Sequence, residues 1–288
     1  MTVKDLSHEF MKRYAAPRLR PSTYRGYRTN FNLHILPVLG NKQITEISLD
    51  DLDELTDLLR EEKMLANKSI VYVHATLRKS LNYARKCGYL QSNIYDCFDL
   101  PRVESCAYTI LDDDLFSTFL ENADEKTPVE LAVKLALRYG LRRGEILGIV
   151  PKTDLDAKEG VLHIQRTRSV ESGRECVTAC KTKYSNRFIL LLPEDVAVLR
   201  RIRSGYAVPI TPAQLNKGFL RFLDDHEFPH MRFHDLRHSY ATYMYRKGVD
   251  VKTLSTVLGH SSVKVTLDIY AHPDVQVQRS CLDLLPQK

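Results

Sequence analysis

The segment HDLRH at residues 234–238, together with LGH at residues 258–260, carries the clearest chemical signal in this sequence. If residues 234–238 open a helix, His234 and Arg237 share one face, which places a titratable imidazole beside a permanently charged, forked guanidinium. A zinc site formed by His234 and His238 is disfavoured, because Arg237 lies between them and no glutamate follows His234 as it does in zinc proteases. The alternative interpretation is an exposed polar helix face without chemical function.

A second cationic position lies in YGLRRGEIL at residues 139–147. The glycine at position 140 is typical of a helix end, and Arg142 then falls at the start of the next helix, where backbone N–H groups attract phosphate. Glu145 follows three residues later on the same face and is placed to hold the guanidinium of Arg142. Taken alone, the pattern is also compatible with an ordinary surface ion pair.

Two lysines and a tyrosine complete the set of candidate residues. Lys181 and Lys183 lie in or next to a turn between predicted strands, where lysine side chains either remain solvated or enter a DNA groove. Tyr270 lies in the apolar segment TLDIYAH at residues 266–272, where a tyrosine ordinarily belongs to the core. The order of all these segments along one chain is more informative than any one of them.

The composition indicates a globular protein with two basic segments. The 288 residues carry a net charge of +6. Residues 1–45 contain eight basic and two acidic residues. Residues 46–106 contain eight basic and eleven acidic residues, and residues 163–203 contain nine basic and four acidic residues. Basic segments separated by an acidic one suggest surfaces that meet a polyanion. Because the longest aliphatic run is ILLL at 189–192 and the N-terminus has no apolar stretch, we expect a cytoplasmic protein with no membrane span.

The six cysteines contain no Cys-x-x-Cys pair. In a cytoplasmic chain, scattered cysteines are usually reduced thiols rather than disulfides or zinc ligands. We therefore expect neither a metal nor a cofactor.

The periodicity predicts a mainly α-helical chain with a small antiparallel β-meander, which is an α+β fold. Residues 1–100 form a helical module, in which Ser48 is the N-cap of one helix. Residues 101–110 lack a clear period and indicate a linker. Residues 111–288 form the second domain.

Within the second domain, β-rich stretches alternate with turn residues between positions 160 and 192. They predict a three-stranded meander formed by residues 161–165, 175–178 and 187–190. The last helix, at about 275–285, is an amphipathic tail.

The chain resembles the tyrosine recombinase (phage integrase) family in the order of its motifs. These are GLR at 140–142, the hairpin lysine, the HxxR pair, LGH and the tyrosine. This family includes integrases of temperate phages and conjugative transposons. The resemblance covers nearly the whole chain, and it implies a helical core-DNA-binding domain at 1–100 and a catalytic domain at 111–288. The implied activity is site-specific DNA cleavage and rejoining through a 3′-phosphotyrosyl intermediate without metal or ATP, for integration or excision of a mobile element such as a viral genome.

The resemblance also implies roles for individual residues. The implied catalytic residues are Arg142, Lys181, His234, Arg237, His260 and Tyr270. Tyr270 is the expected nucleophile, His234 the base that takes its proton, and the arginines and His260 stabilise charge on the phosphate. Lys181 is the expected acid for the leaving oxygen, with Lys183 as the alternative. Glu145 occupies the acidic position with which the family braces the site.

Double-stranded DNA is the expected partner. The residues expected to contact it are Arg18, Arg20, Arg25, Arg28, Lys183 and Arg187. Four strand cuts imply a homotetramer on DNA, and the resemblance suggests that the C-terminal tail at 273–288 docks on a neighbouring protomer. The alternative is a tail that packs on its own domain. We expect the protein to work in the cytoplasm of a bacterial host, associated with DNA.

Two features depart from the family pattern. Many members have a Trp-Ser-Asp-like segment where this chain has GIVPK at residues 148–152, and the chain contains no tryptophan, which affects packing more than catalysis. Many members also carry an arm-binding domain, which here would have to precede residue 1. We therefore expect either a shortened chain or a naturally shorter recombinase.

Other functions remain open at this point. A type IB topoisomerase shares the chemistry but acts without a specific site. A catalytically silent DNA-binding or excision-regulating protein would bind DNA without covalent capture, and a helical protein-binding adaptor would explain neither the basic hairpin nor the order of the motifs. Tyr240, Tyr243 and Tyr245 are rival nucleophiles by residue type, but their close spacing on one helix favours packing roles.

Overall fold

In a computed structural model, the chain divides into two compact units, Met1–Cys106 and Ala107–Lys288. The structure describes residues 1–103, 108–171, 173–180, 183–260, 262–263 and 267, with backbone alone at 171 and 183. No helix within these ranges combines the length and the apolar character that a membrane crossing requires. Helices with small antiparallel sheets confirm the predicted α+β class.

The N-terminal unit is built from helices, several of which continue directly into π-helical segments. They are α1 (Val3–Glu9, continued by Phe10–Ala15), α2 (Ala16–Arg18), α3 (Pro21–Asn30, continued by Phe31–Ile35), α4 (Leu36–Leu39), α5 (Leu49–Asp57, continued by Leu58–Glu62) and α6 (Asn67–Lys86), followed by a 3₁₀ turn at Ile94–Asp96.

Two capping boxes determine where helices of this unit begin. Ser48 accepts a hydrogen bond from the backbone N–H of Asp51, and the Asp51 carboxylate accepts one from the Ser48 backbone. Thr2 and Asp5 form the same reciprocal pair at the start of α1. Each box satisfies two N–H groups that the helix itself leaves without partners. The predicted N-cap at Ser48 is confirmed.

The core of the N-terminal unit contains a hydrogen-bonded polar cluster around His74 among its apolar side chains. Phe10 and Leu77 are fully buried in this core. His74 is also fully buried, with Nε2 2.9 Å from the Thr56 hydroxyl and Nδ1 2.7 Å from the Tyr95 hydroxyl. Burial lowers the pKa of His74 to about 4, so the imidazole stays neutral at neutral pH.

The C-terminal unit packs helices against two small sheets. Its elements are α7 (Asp113–Asn122), α8 (Pro128–Tyr139), α9 (Arg143–Gly148), α10 (Pro151–Asp154), β1 (Leu155–Asp156), β2 (Val161–Ile164), β3 (Arg166–Glu171), β4 (Arg174–Ala179), β5 (Arg187–Leu190), α11 (Pro193–Arg201), α12 (Pro212–Asp225), α13 (Phe233–Arg246) and α14 (Val251–Leu258).

The strand pairing differs from the predicted meander. β2 pairs antiparallel with β1 and β5, whereas β3 and β4 form a separate hairpin. The pattern misses β3 because RTRSV at 166–170 is polar and lacks alternating apolar residues. Close packing on α9 stabilises this strand instead: a Cβ at Gly148 would lie 3.1 Å from the carbonyl oxygen of Arg166, and one at Gly144 would lie 3.4 Å from that of Arg168.

One glycine brings three helices of this unit together. Gly140 ends α8 in the left-handed conformation, with φ of 60°. A Cβ there would lie 2.5 Å from Cδ1 of Tyr240 and 2.7 Å from Cδ2 of Leu258. Only glycine combines this backbone conformation with such close approach. The end of α8 therefore lies directly against α13 and the end of α14.

Candidate active site

Three carbonyl groups at the end of α14 each accept a hydrogen bond from a different arginine. The carbonyls of residues 257, 258 and 259 accept from Arg187 Nε, Arg237 Nη2 and Arg142 Nη2 at 2.6, 2.7 and 3.0 Å. The last carbonyls of a helix lack intrahelical partners and form the negative end of its dipole, so they attract cations. Gly259, with φ of 65°, ends the helix at this point. The end of α14 thus gathers three guanidinium groups.

Glu145 is the anionic centre of this group of arginines. Its side chain is 1% exposed, and its Oε1 accepts from Arg142 Nη1 at 2.8 Å. Arg187 donates to both carboxylate oxygens, at 3.1 and 3.0 Å, and Nη1 of Arg237 lies 4.0 Å from Oε2. Burial alone would raise the pKa of Glu145, but hydrogen bonds and charge from Arg187, then the charges of Arg142 and Arg237, hold that pKa below its usual range.

Arg237 is buried and held from two sides. Its side chain is 4% exposed. Nη1 donates to the carbonyl of Gly140 at 2.6 Å, and Nη2 donates to the carbonyl of Leu258. These two contacts fix the plane of the guanidinium between the end of α8 and the end of α14. A charged group held in this way keeps its orientation when a substrate arrives.

His234 and His260 share the electrostatic field of the arginines. The pKa of His234 is lowered to about 4, mainly by burial. The nearby His238, then Arg237 and Arg142, lower this pKa by smaller amounts. The pKa of His260 is lowered to about 3, again mainly by burial and to a smaller extent by the charges of Arg237 and Arg142. Both imidazoles are therefore neutral at neutral pH, and a neutral imidazole is able to accept a proton.

An aromatic contact links α13 to the chain segment that precedes α7. The ring of Tyr108 stacks on His238 with centroids 4.1 Å apart, and His238 meets His234 edge to face at 5.0 Å. The backbone N–H of Leu111 donates to the Ser239 hydroxyl at 3.1 Å. The sequence offers no signal for this contact, because residues 101–110 have no periodic pattern.

A cavity of about 590 Å³ opens beside Arg142 and His234. Buried apolar side chains such as Phe219 and Phe233 line it, together with the cationic Arg143. The cavity therefore offers a substrate space, with positive charge on its wall, next to two of the predicted catalytic residues.

The four arginines of the N-terminal unit that we expect to contact DNA cluster around α2 and α3. Arg18, Arg20 and Arg28 are exposed, and Arg25 is half-buried. Arg18 also lies over the ring of Tyr14, with its guanidinium carbon 5.2 Å from the ring centroid.

The structure places Arg187, which we expect to contact DNA, in the interior of the site. Arg187 is 8% exposed and forms a buried ion pair with Glu145. Along β5, Arg187 and Ile189 point inward, whereas Phe188 and Leu190 are 70% and 74% exposed. Alternation along a strand puts Arg187 on the inner face with Ile189. In the sequence alone, Phe188 and Leu190 are as apolar as Ile189, so the alternation does not show which of the two faces of the strand is the inner one.

Several predicted residues lie outside the described part of the chain. These are Lys181, Tyr270 and the tail at 273–288, and Lys183 is described by its backbone alone, in the 3₁₀ turn Lys183–Ser185. Their roles stay predictions. Among the residues that the structure does describe, no group of three or more His, Cys, Asp or Glu could hold a metal ion.

Two sequence models of known families match the chain. The "Phage integrase family" matches residues 110–276, which is more than half of the chain, and the "Phage integrase, N-terminal SAM-like domain" matches residues 2–57.

Individual proteins are similar over most of the length. The "Tyrosine recombinase XerC-like" of Caldanaerobacter subterraneus subsp. tengcongensis is 25% identical, with 94% of this chain and 79% of that protein covered. The "ICEBs1 integrase" of Bacillus subtilis is 24% identical, with 92% and 78% covered. The solved structure of the Tn1549 transposon integrase in complex with transposon right end DNA superimposes with a TM-score of 0.83, at 21% identity and 99% coverage of both chains. The two chains therefore share a fold.

Proposed function

Because this chain belongs to the phage integrase family of tyrosine recombinases, we propose that it is a site-specific DNA recombinase that integrates or excises a mobile element. A relative that matches most of the chain is named as the integrase of ICEBs1. The observation that carries the proposal is the set of three arginines around one buried carboxylate, Glu145, with His234 and His260 in the electrostatic field of two of these arginines.

Charge stabilisation at the phosphate is the first task of the site. When an oxygen attacks a phosphodiester, negative charge builds on the non-bridging oxygens of the phosphate. Arg142 and Arg237 are already oriented by backbone carbonyls, so little reorganisation accompanies this change. The fork of a guanidinium fits two phosphate oxygens at once, and His260 adds a further donor.

The covalent step transfers the DNA phosphate to Tyr270. The phenolic oxygen forms a bond to phosphorus, the bond from phosphorus to the 5′-oxygen breaks, and a 3′-phosphotyrosine and a free 5′-hydroxyl result. His234 takes the phenolic proton, and Lys181, or alternatively Lys183, donates a proton to the departing 5′-oxygen. The phosphotyrosyl bond keeps the energy of the phosphodiester, so rejoining by the reverse reaction needs no ATP.

DNA itself adjusts the protonation of the two imidazoles. A phosphate beside His234 and His260 adds negative charge, which raises the pKa of each imidazole toward its ordinary range. His234 therefore starts as a neutral base and becomes better able to hold the proton of Tyr270 once substrate is bound.

The N-terminal unit serves as the core-DNA-binding domain. Four arginines of this unit contact the phosphate backbone of the duplex: Arg18 at the end of α2, and Arg20, Arg25 and Arg28 on or next to α3. Such contacts position the protein on DNA without reading its sequence.

The protein acts in the cytoplasm of its bacterial host.

Sequencing of covalently captured DNA tests this function. The purified protein is incubated with genomic DNA of the organism that encodes it, in the presence of a chelator, and denatured with detergent before the attached DNA is sequenced. We expect tyrosine-linked 3′ ends at one recurring sequence. Linked ends at unrelated sequences would indicate a type IB topoisomerase, and DNA binding without any linked ends would indicate a catalytically silent binding protein.

The C-terminal tail is the proposed contact between protomers. Recombination needs four strand cuts, hence four active sites, and residues 273–288 include apolar residues in an amphipathic pattern. The tail of one protomer docks on its neighbour and joins the four copies on DNA.

Deletion of residues 274–288 should therefore abolish tetramers on DNA while leaving single protomers bound. Light scattering of the protein with two-site DNA measures this change. Unchanged tetramer formation would show that the tail packs on its own domain.

A further inference from the structure

Arg187 connects two parts of the site that hold Arg142. Its Nη1 and Nη2 donate to the two carboxylate oxygens of Glu145, whose Oε1 also accepts from Arg142. Its Nε donates to the carbonyl of Val257, and its Nη1 lies 2.9 Å from where a Cβ of Gly259 would be. The carbonyl of Gly259 is the second acceptor for Arg142. Arg187 thus binds the carboxylate that holds the Arg142 guanidinium and lies against Gly259, whose carbonyl is the second acceptor for that guanidinium.

On the basis of the proposed recombinase function, we propose that Arg187 is a positioning residue that keeps Glu145 ionised and thereby orients Arg142 toward the DNA phosphate.

The charge balance around Glu145 explains why this position needs an arginine. Among the residues that the structure describes, the charged groups that face Glu145 are Arg142 at the N-cap of its own helix, Arg187 from β5 and Arg237 from α13. Arg237 lies at 4.0 Å, and Arg142 is one-third exposed, so Arg187 is the only one of these cations that is both buried and doubly bonded to the carboxylate. A buried carboxylate that loses its closest buried cation is protonated more easily.

Protonation of Glu145 would release Arg142. A neutral carboxyl group is a weaker acceptor than a carboxylate, and it gives up the charge-assisted contact at 2.8 Å that holds the guanidinium. In the unaltered protein the pKa of Glu145 lies below its usual range, so this does not occur at neutral pH. Without Arg187 that pKa rises, and activity is lost as the pH falls toward it.

The test compares pH profiles of covalent adduct formation on a nicked duplex for the unaltered protein, Arg187→Gln and Arg187→Lys. For Arg187→Gln we expect the rate to fall between about tenfold and a hundredfold near pH 8, because the geometry of Arg142 is lost. Below the raised pKa of Glu145, we expect the rate of adduct formation to fall by about a further tenfold per pH unit. Arg187→Lys keeps the charge without the fork, so it should recover part of the rate and remove the additional fall at acidic pH.

Arg166→Gln is the matched control, because Arg166 also pairs with a buried carboxylate, that of Asp154 at 2.8 Å, outside the site. It should leave the shape of the pH profile unchanged. A second check combines Arg187→Gln with Glu145→Gln, which removes the titrating group and should abolish the additional acidic fall.

Two results would overturn the proposal. One is an Arg187→Gln profile parallel to that of the unaltered protein. The other is a loss of DNA affinity as large as the loss of rate, which would assign Arg187 to DNA contact.

If Arg187→Gln fails to fold, as judged by its melting curve, Arg187→Lys decides: a folded lysine variant as inactive as Glu145→Gln would contradict the role of charge. Absence of adducts from the unaltered protein would instead refute the proposed function.

Discussion

Replacement of Tyr270 by phenylalanine abolishes the covalent protein–DNA adduct. In the proposed mechanism the phenolic oxygen is the atom that becomes bonded to phosphorus, and phenylalanine has no atom that replaces it. DNA affinity should stay within about twofold of the unaltered protein, because phosphate contacts by basic residues dominate affinity. Denaturing gels of a labelled, nicked duplex measure adduct formation, and gel shifts measure affinity.

Tyr243→Phe is the matched control for this change. The ring of Tyr243 stacks on Phe116 at 4.2 Å, and phenylalanine retains that contact. The control should form adducts at the unaltered rate. An adduct that persists in Tyr270→Phe, with its peptide mapped to Tyr240 or Tyr245, would reassign the nucleophile.

Replacement of Arg237 by glutamine lowers the single-turnover cleavage rate by about a hundredfold to a thousandfold, since one lost donor to developing charge raises the barrier by about 2.7–4 kcal/mol. Stability falls as well, because the carbonyls of Gly140 and Leu258 lose their charged donor. A buried acceptor left without a partner destabilises a fold by about 1–3 kcal/mol. Arg142→Gln should lower cleavage to a similar degree with less destabilisation, because Arg142 is one-third exposed.

Rates and melting temperatures measured on the same preparations separate the two effects. Arg200→Gln, an exposed arginine of α11, is the control for loss of one positive charge. It should change neither quantity. A cleavage rate near normal in folded Arg237→Gln would remove Arg237 from the reaction.

The candidate site could be predicted from the sequence to the extent that its residues lie in short motifs. His234 and Arg237 are three residues apart on α13, and Arg142 and Glu145 are three apart at the start of α9. Such neighbours meet through local helix geometry alone. The ion pair between Arg142 and Glu145 follows from this spacing, and the structure shows it.

The misassigned strand pairing and the unforeseen buried position of Arg187 share one cause. Both depend on contacts between residues far apart in the chain. The polar strand β3 is held by the glycine face of α9, and Arg187 is drawn inward by Glu145 and by the end of α14. Neither partner is adjacent in sequence, so no local pattern reveals it.

By itself, the amino-acid sequence determined the main helices, the N-cap at Ser48 and the chemical identity of the candidate site residues. These depend on spacing and side-chain type within a few residues, where helix geometry leaves little freedom. Only the tertiary structure decided that three arginines converge on one helix end, that Glu145 is their common counter-ion and that Arg187 faces inward. The physical reason is that burial of a charged group depends on which distant segments pack together. A buried carboxylate stays ionised only when cations lie next to it.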